Sequence, residues 1–195
     1  MIQAISVTTA AVGTLGVAGL LWSILRPELA IWPLPEGAGP ALRTRRALNR
    51  ALGISSSVLL LAIVGVACAT LQPMSGWQRS VGLVLFFGGG LFALAGYFAL
   101  GTAGSHGAQV PLVASGIYRY SRNPQYLGTL FVLAGAVVAS GSAWTAIAAA
   151  PMGAWFALAP FAEENWLRST LGGPFDAYLR QTPRYLGWPR AKRSA

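Results

Sequence analysis

Charged residues are scarce in this chain, and acidic residues are the scarcest. Only 10% of the 195 residues are charged, with 5 Asp and Glu against 14 Lys and Arg, while 54% are hydrophobic. A soluble domain of this composition would lack the polar surface that keeps proteins dispersed in water. The sequence therefore predicts an integral membrane protein, with the lipid bilayer as its solvent.

Cysteine and histidine are nearly missing, which excludes several kinds of site. Cys68 is the single cysteine and lies in an apolar run, so it cannot form an intrachain disulfide. His106 is the single histidine, and no group of residues has the spacing of metal ligands. The sequence therefore predicts no metal site.

The net charge of +9 is also compatible with a nucleic-acid-binding protein. That function requires the basic residues to share one solvated face, whereas here they lie between long apolar runs. Anionic lipid headgroups attract Lys and Arg that flank membrane helices, and this explains the same charge. We therefore expect no nucleic-acid partner.

Long runs without charge predict an all-α fold of about five transmembrane helices. Residues 4–25, 51–71 and 81–100 form three runs long enough to cross a hydrocarbon core of about 30 Å. The run 124–162 would be about 58 Å long as one helix, which is too long for a single crossing. We therefore expect a helical hairpin with its break at Ser140, Gly141 and Ser142, followed by a short cytosolic C-terminal helical segment.

The distribution of basic residues predicts the orientation. With the N-terminus outside, the loops 26–50 and 101–123 and the tail after Ala162 are cytosolic, and every Lys and Arg except Arg79 lies in the cytosol. We expect a multi-pass protein of the cytoplasmic (inner) membrane, with its C-terminus in the cytosol.

Two polar segments should meet at the cytosolic face. Asn123 suits an N-cap and Pro124 the first helical position, so the fourth span should begin there with N–H groups that attract a carboxylate. Glu163 and Glu164 end the fifth span and lie about 100° apart around a helix, so only one can face a given pocket. Because a tight turn joins the two spans, these ends should be neighbours.

This pocket would suit a zwitterion that carries a carboxylate and a cation, because the Tyr118 and Tyr126 rings attract cations. The simpler interpretation is a capped helix flanked by arginines, with the glutamates in salt bridges to Arg168 or Arg122. The residue pattern alone leaves both interpretations open.

Two spaced motifs make a specific resemblance. The chain is similar to the isoprenylcysteine carboxyl methyltransferase and phospholipid methyltransferase superfamily over roughly residues 109–189. The first motif consists of Gly116, Tyr118, Arg122, Asn123, Pro124, Tyr126 and Gly128. The second consists of Glu163, Glu164, Leu167, Leu171, Gly172, Phe175, Tyr178 and Pro183.

The resemblance implies an S-adenosylmethionine-dependent methyltransferase, with a cytosolic cofactor pocket and a lipophilic substrate that enters from the bilayer. It divides the chain into an N-terminal three-span region, 1–101, and a cofactor-binding catalytic core, 102–195. The implied cofactor contacts are Val110, Pro111, Leu112, Val113, Tyr118, Asn123, Pro124, Tyr126 and Glu163. Further candidates are Gly116, Arg122, Gly128 and Glu164.

The chain departs from the family pattern at two positions. Asn123 stands where the family commonly has His, and an amide can donate and accept hydrogen bonds but cannot serve as a base. Ala159 stands where the isoprenylcysteine enzymes have a substrate-binding Arg. A carboxylate or thiolate acceptor needs no base, whereas an ammonium group must first lose a proton, for which His106 is the candidate.

Two other functions are compatible with parts of the pattern. Membrane sterol reductases, which use NADPH, share a Pro-x-Tyr-x-Gly helix start but usually continue with Glu, and here Thr129 follows Gly128. A non-enzymatic helical bundle or transporter predicts ionisable groups near the midplane, and the spans contain none besides Cys68 and tyrosines. The acceptor, and whether O, N or S is methylated, stays open.

Overall fold

The computed structural model of the protein describes residues 1–26, 28, 30, 40–105 and 111–188. All regular structure in these ranges is helical, as predicted. A short 3₁₀ helix, Gly116–Arg119, precedes α4. The α-helices are α1 (Ile2–Leu25), α2 (Pro40–Ala69), α3 (Gly76–Ser105), α4 (Pro124–Ser140), α5 (Ala143–Leu171) and α6 (Gly173–Gln181).

Five of these helices are apolar. Ile2–Leu25, Gly76–Gly101 and Ala143–Leu171 are long and apolar enough to cross a membrane, and Gly53–Ala69 and Pro124–Ser140 are shorter apolar helices. The outer face of α3 exposes large apolar side chains: Val84 is 71%, Leu91 70% and Phe98 76% exposed. Such a surface suits contact with lipid.

Three helix boundaries differ from the sequence prediction, and one of them is the end of the fifth span, because α5 continues through Glu163 and Glu164 to Leu171. The predicted loop 26–50 is wrong in its second half, because α2 begins at Pro40. Proline lacks an N–H and has a helical φ, so it suits the first position of a helix. In addition, α3 continues past the predicted end of the third span, through Gly101, whose φ of 77° breaks the regular geometry. His106 and Val110 lie outside the described residues.

The break between α4 and α5 is confirmed at the predicted place. Gly141 follows the last residue of α4 with a φ of 64°, the left-handed conformation that ends many helices. α5 begins directly after Ser142. The backbone N–H of Gln72 donates to the Ser140 carbonyl over 2.9 Å, so the α2–α3 connection lies against this turn.

A row of glycines joins α3 to α4. The glycines recur every seven residues in each helix, at Gly82, Gly89 and Gly96 of α3 and at Gly128 and Gly135 of α4. A Cβ atom at Gly135 would lie 2.4 Å from the Phe86 backbone nitrogen, and one at Gly82 would lie 2.4 Å from the Ala139 nitrogen. Small residues let membrane helices approach until their backbones touch. We call this contact the glycine seam.

The opposite side of α4 packs against α5, which in turn packs along α1. One cluster joins α2, α4 and α5 through Ile63, Leu133, Ala148, Ala149 and Met152. A second cluster joins Leu20 of α1 to Ala159 and Ala162 of α5, with Tyr126 and Trp155 packed against it. Tyr126 therefore faces α5 and α1, while the glycines of α4 face α3.

The glycine seam predicts a large stability difference between two glycine substitutions. Gly135→Leu should destabilise the protein by about 1–3 kcal/mol or more, because the added side chain must push α3 and α4 apart. Gly88→Leu is the matched control, because a Cβ at this helical glycine meets nothing within 4 Å. Thermal unfolding of the detergent-solubilised variants measures the difference, and similar midpoints for both would contradict the seam.

Candidate functional site

The start of α4 and the C-terminal part of α5, which the sequence predicts to lie at the cytosolic face, meet at Tyr126 and Glu163. The Tyr126 hydroxyl lies in the first turn of α4 and donates a short hydrogen bond to Glu163 Oε1 on α5. The two residues are far apart in the chain, and the hairpin brings them together because its helices run in opposite directions. The predicted proximity of these two helix ends is confirmed.

Aromatic rings surround the Tyr126 side of this pair. The centroid of the Tyr126 ring lies 6.1 Å from that of Trp155 and 5.7 Å from that of Phe156, both on α5. Ala159, between these rings and Glu163 in sequence, is 0% exposed and clusters with Leu20. The position at which the isoprenylcysteine enzymes have an arginine is therefore filled by the packing of α1 on α5.

Glu164 faces a different set of partners. Its carboxylate accepts from Arg122 Nη2 at 2.9 Å and from Arg184 through Nε and Nη2, each at 2.8 Å. Glu164 is buried, and a buried carboxylate needs paired cations. The two parallel hydrogen bonds from the Arg184 guanidinium are among the strongest contacts of this kind. The salt bridge to Arg122 that the sequence suggested is confirmed, whereas Arg168 pairs with Asp176 at 3.2 Å.

Both terminal nitrogens of Arg122 bind other parts of the protein, whereas its buried Nε has no hydrogen-bond partner. Besides Glu164, its Nη1 donates to the Leu179 carbonyl over 3.1 Å. Burial lowers the pKa of the Arg122 guanidinium and the Glu164 carboxylate raises it. The hydrogen bond to Glu164 raises the pKa of Arg184. Both arginines carry their charge at neutral pH, and Glu164 holds them in place.

The segment 182–188, which we call the C-terminal strap, crosses the start of α4. The N–H of Arg122 donates to the Pro183 carbonyl, and the N–H of Gly187 donates to the Tyr120 carbonyl, each over 3.0 Å. The Asn123 side-chain Nδ2 donates to the Arg184 carbonyl, also over 3.0 Å. The predicted N-cap position of Asn123 is confirmed, but its side-chain amide binds the strap and makes no capping hydrogen bond to α4.

The strap also contacts α5. The Arg184 guanidinium carbon lies 4.0 Å from the centroid of the Phe161 ring. The Tyr185 hydroxyl donates a short hydrogen bond to the Ala157 carbonyl. Together with the salt bridge to Glu164, these contacts fix the strap to both helices that carry the Tyr126–Glu163 pair.

Tyr118 lies beside the start of α4, next to α3. Its buried hydroxyl donates to the Gly96 carbonyl and accepts from Gln125 Nε2, each over 3.3 Å, and its own carbonyl accepts from the Tyr178 hydroxyl over 2.7 Å. Burial raises the pKa of both phenols. Both tyrosines are therefore neutral hydrogen-bonding groups at physiological pH.

The remaining candidates occupy varied positions. Pro111 is exposed, Leu112 and Val113 are half-buried, and Gly116 has a φ of 58° at the start of the 3₁₀ helix. Pro124 is buried against Gly96 of α3. Gly128 belongs to the glycine seam, where a Cβ would lie 2.5 Å from the Ala93 nitrogen. Within the described ranges, no group of three His, Cys, Asp or Glu could hold a metal ion.

Sequence reasoning missed Arg184 and Gln125 as contributors to this region. Arg184 follows Pro183, the last residue of the second motif, and lies in a segment without helical periodicity. The available signal was the pair of glutamates at a membrane boundary, which requires cations, but the sequence analysis considered only Arg122 and Arg168 as their partners. Gln125 lies between two motif residues, and its partner Ser105 is 20 residues away.

Comparison with known proteins identifies the family of the chain. No curated protein and no solved structure matches the chain. Residues 77–173, about half of the chain, match the family model for phospholipid methyltransferases. The match runs from α3 through the end of α5 and includes Tyr118, Tyr126 and Glu163. With its apolar helices and this match, the chain is a multi-pass membrane methyltransferase that belongs to the phospholipid methyltransferase family.

Proposed function

We propose that this protein transfers a methyl group from S-adenosylmethionine to a lipophilic acceptor at the cytosolic face of the membrane. The observation that carries the proposal is the Tyr126–Glu163 hydrogen bond between the ends of α4 and α5, beside a separate cluster in which Glu164 pairs with two arginines. The family match supports methyl transfer in general. The donor and the acceptor are our inference.

The residues at the site fit a sulfonium cofactor. Glu163 supplies negative charge, and the Tyr126 hydroxyl orients that carboxylate toward the α4 start. The aromatic faces of Tyr126 and Tyr118 add attraction for a cation. When bound, S-adenosylmethionine would supply the electrophilic methyl group. We propose that Pro111, Leu112, Val113, Tyr118, Pro124, Tyr126 and Glu163 hold it.

The surroundings of the pair favour an apolar acceptor. Trp155 and Phe156 place apolar rings beside Tyr126, and Ala159 offers no charge where the isoprenylcysteine enzymes have arginine. The protein's part in such a displacement is to align the two reactants and exclude water. A lipophile without a carboxylate fits this site best, and His106 stays a prediction as the base for an ammonium acceptor.

The proposed orientation places this site at the boundary between lipid and water. We propose that α1 to α5 all span the membrane, with the N-terminus outside and α6 on the cytosolic side. The 17 residues of α4 rise about 26 Å, somewhat less than the hydrocarbon thickness. The first turn of α4 would then lie at the membrane edge, within reach of a water-soluble cofactor and a membrane-dissolved acceptor.

Calorimetric titration tests the cofactor. We expect the purified protein to bind S-adenosylmethionine and not NADPH, and Glu163→Gln to weaken that binding at least about tenfold, equivalent to 1.4 kcal/mol. Asp176→Asn is the matched control, because it also removes a carboxylate, but from the half-exposed pair with Arg168. Heat release with NADPH alone would refute the proposed function.

The Tyr126 hydroxyl should contribute to the orientation of Glu163. Tyr126→Phe keeps the ring beside Trp155 and Phe156 and removes the hydrogen bond, so we expect cofactor binding to weaken by about fivefold. Tyr120→Phe is the control, because its ring lies against Trp188 at the surface. A Tyr126→Phe variant with unchanged affinity would show that the ring alone serves the site.

Mass spectrometry identifies the acceptor. Membrane lipid extracts incubated with the protein and methyl-labelled S-adenosylmethionine should yield a labelled product in the organic phase. The same incubation with Glu163→Gln should lose most of this label, while Asp176→Asn should retain it. Label found only in water-soluble products would contradict a lipophilic acceptor.

A further inference from the structure

The C-terminal strap is bound more extensively than a surface tail requires. In 182–188 the backbone carbonyls of Pro183 and Arg184 accept hydrogen bonds from Arg122 and Asn123, which directly precede α4, and the Gly187 N–H donates to the Tyr120 carbonyl. The Arg184 side chain holds Glu164 through two hydrogen bonds. The family match ends at residue 173, so it does not cover the strap.

We propose that Asn123 and Arg184 are positioning residues that hold the strap against the start of α4 and the C-terminal part of α5. The bound strap keeps Tyr126 and Glu163 in the geometry that binds the cofactor. This inference rests on the proposed function. It assigns Asn123 a role through the strap instead of direct contact with the cofactor.

The hydrogen bond of Asn123 supports this assignment. Its Nδ2 donates to the Arg184 carbonyl over 3.0 Å, and its backbone N–H donates to Ser121 Oγ over 3.1 Å. An uncharged amide always carries donor hydrogens, so this bond forms regardless of pH. Asn123 is three residues before Tyr126, and a strap bound there restrains the first turn of α4.

Arg184 supplies the corresponding restraint on α5. Its guanidinium binds both oxygens of Glu164, the residue after Glu163, and lies over the ring of Phe161, two residues before Glu163. Removing one partner from a buried charged cluster is strongly destabilising, because the remaining charge loses its compensation. The strap therefore holds α5 on both sides of Glu163 while it holds the start of α4.

Hydrogen exchange of the strap, measured without any cofactor, tests whether Arg184 holds the strap in place. The peptide 183–188 contains the Gly187 amide that bonds to Tyr120, so it should exchange slowly in the wild-type chain. Arg184→Glu places a carboxylate against Glu164, and we expect exchange at least about tenfold faster in this peptide. Unchanged exchange in Arg184→Glu would overturn the proposal.

A comparison of substitutions separates positioning from direct contact. Asn123→Ala should weaken S-adenosylmethionine binding by about fivefold in the wild-type chain, the effect of one lost hydrogen bond. In the Arg184→Glu background, where the strap is already released, the same substitution should have no further effect. An equal loss in both backgrounds would show that Asn123 touches the cofactor and would overturn its assignment.

Two further variants complete the test. Asn165→Ala removes an exposed amide next to Glu164 and should change neither exchange nor affinity. Arg184→Lys keeps the charge but cannot form the two-pronged contact, so it should recover part of the affinity lost in Arg184→Glu. Faster strap exchange with unchanged affinity would overturn the link to the cofactor. A wild-type chain with a protected strap that binds no S-adenosylmethionine would refute the proposed function instead.

Discussion

Glu163 and Glu164 follow one another on α5, and the helix turns their side chains about 100° apart. Two adjacent carboxylates in a partly buried region repel each other, and here each has separate partners. Glu164 takes Arg122 and Arg184, while Glu163 meets the Tyr126 hydroxyl. Because a buried charge without partners is costly, the arginines determine where the start of α4 and the C-terminal strap can lie. The site is assembled around this division.

The two sides of α4 likewise pack against different helices. One side carries glycines and brings the backbone of α3 into contact, and the other carries Tyr126 and Leu133 against α5. Large side chains on the glycine side would hold the backbones of α3 and α4 apart. The site lies at one end of the second side, where packing gives way to polar contacts.

Much of this architecture could be predicted from the sequence, because it follows from local patterns. Uncharged runs gave the apolar helices, and Ser140, Gly141 and Ser142 gave the hairpin, which in turn brings Tyr126 to Glu163. The start of α2 at Pro40 was not predicted, because a proline-rich segment is compatible with a loop as well as with a helix start. Arg184, which binds both Asn123 and Glu164, was not predicted either, because it lies in a segment without periodicity, 61 and 20 residues away from them. Only the fold itself specifies such pairs.

The glycine seam also closes the space between α3 and α4. The two backbones lie too close for even a Cβ atom at Gly89 or Gly135, so no other molecule fits between the helices there. On the other side, Tyr126 packs near the α1 side chains Leu20 and Ile24. Under the proposed function, a lipophilic acceptor would therefore reach Tyr126 past the side chains of α1 and not between α3 and α4.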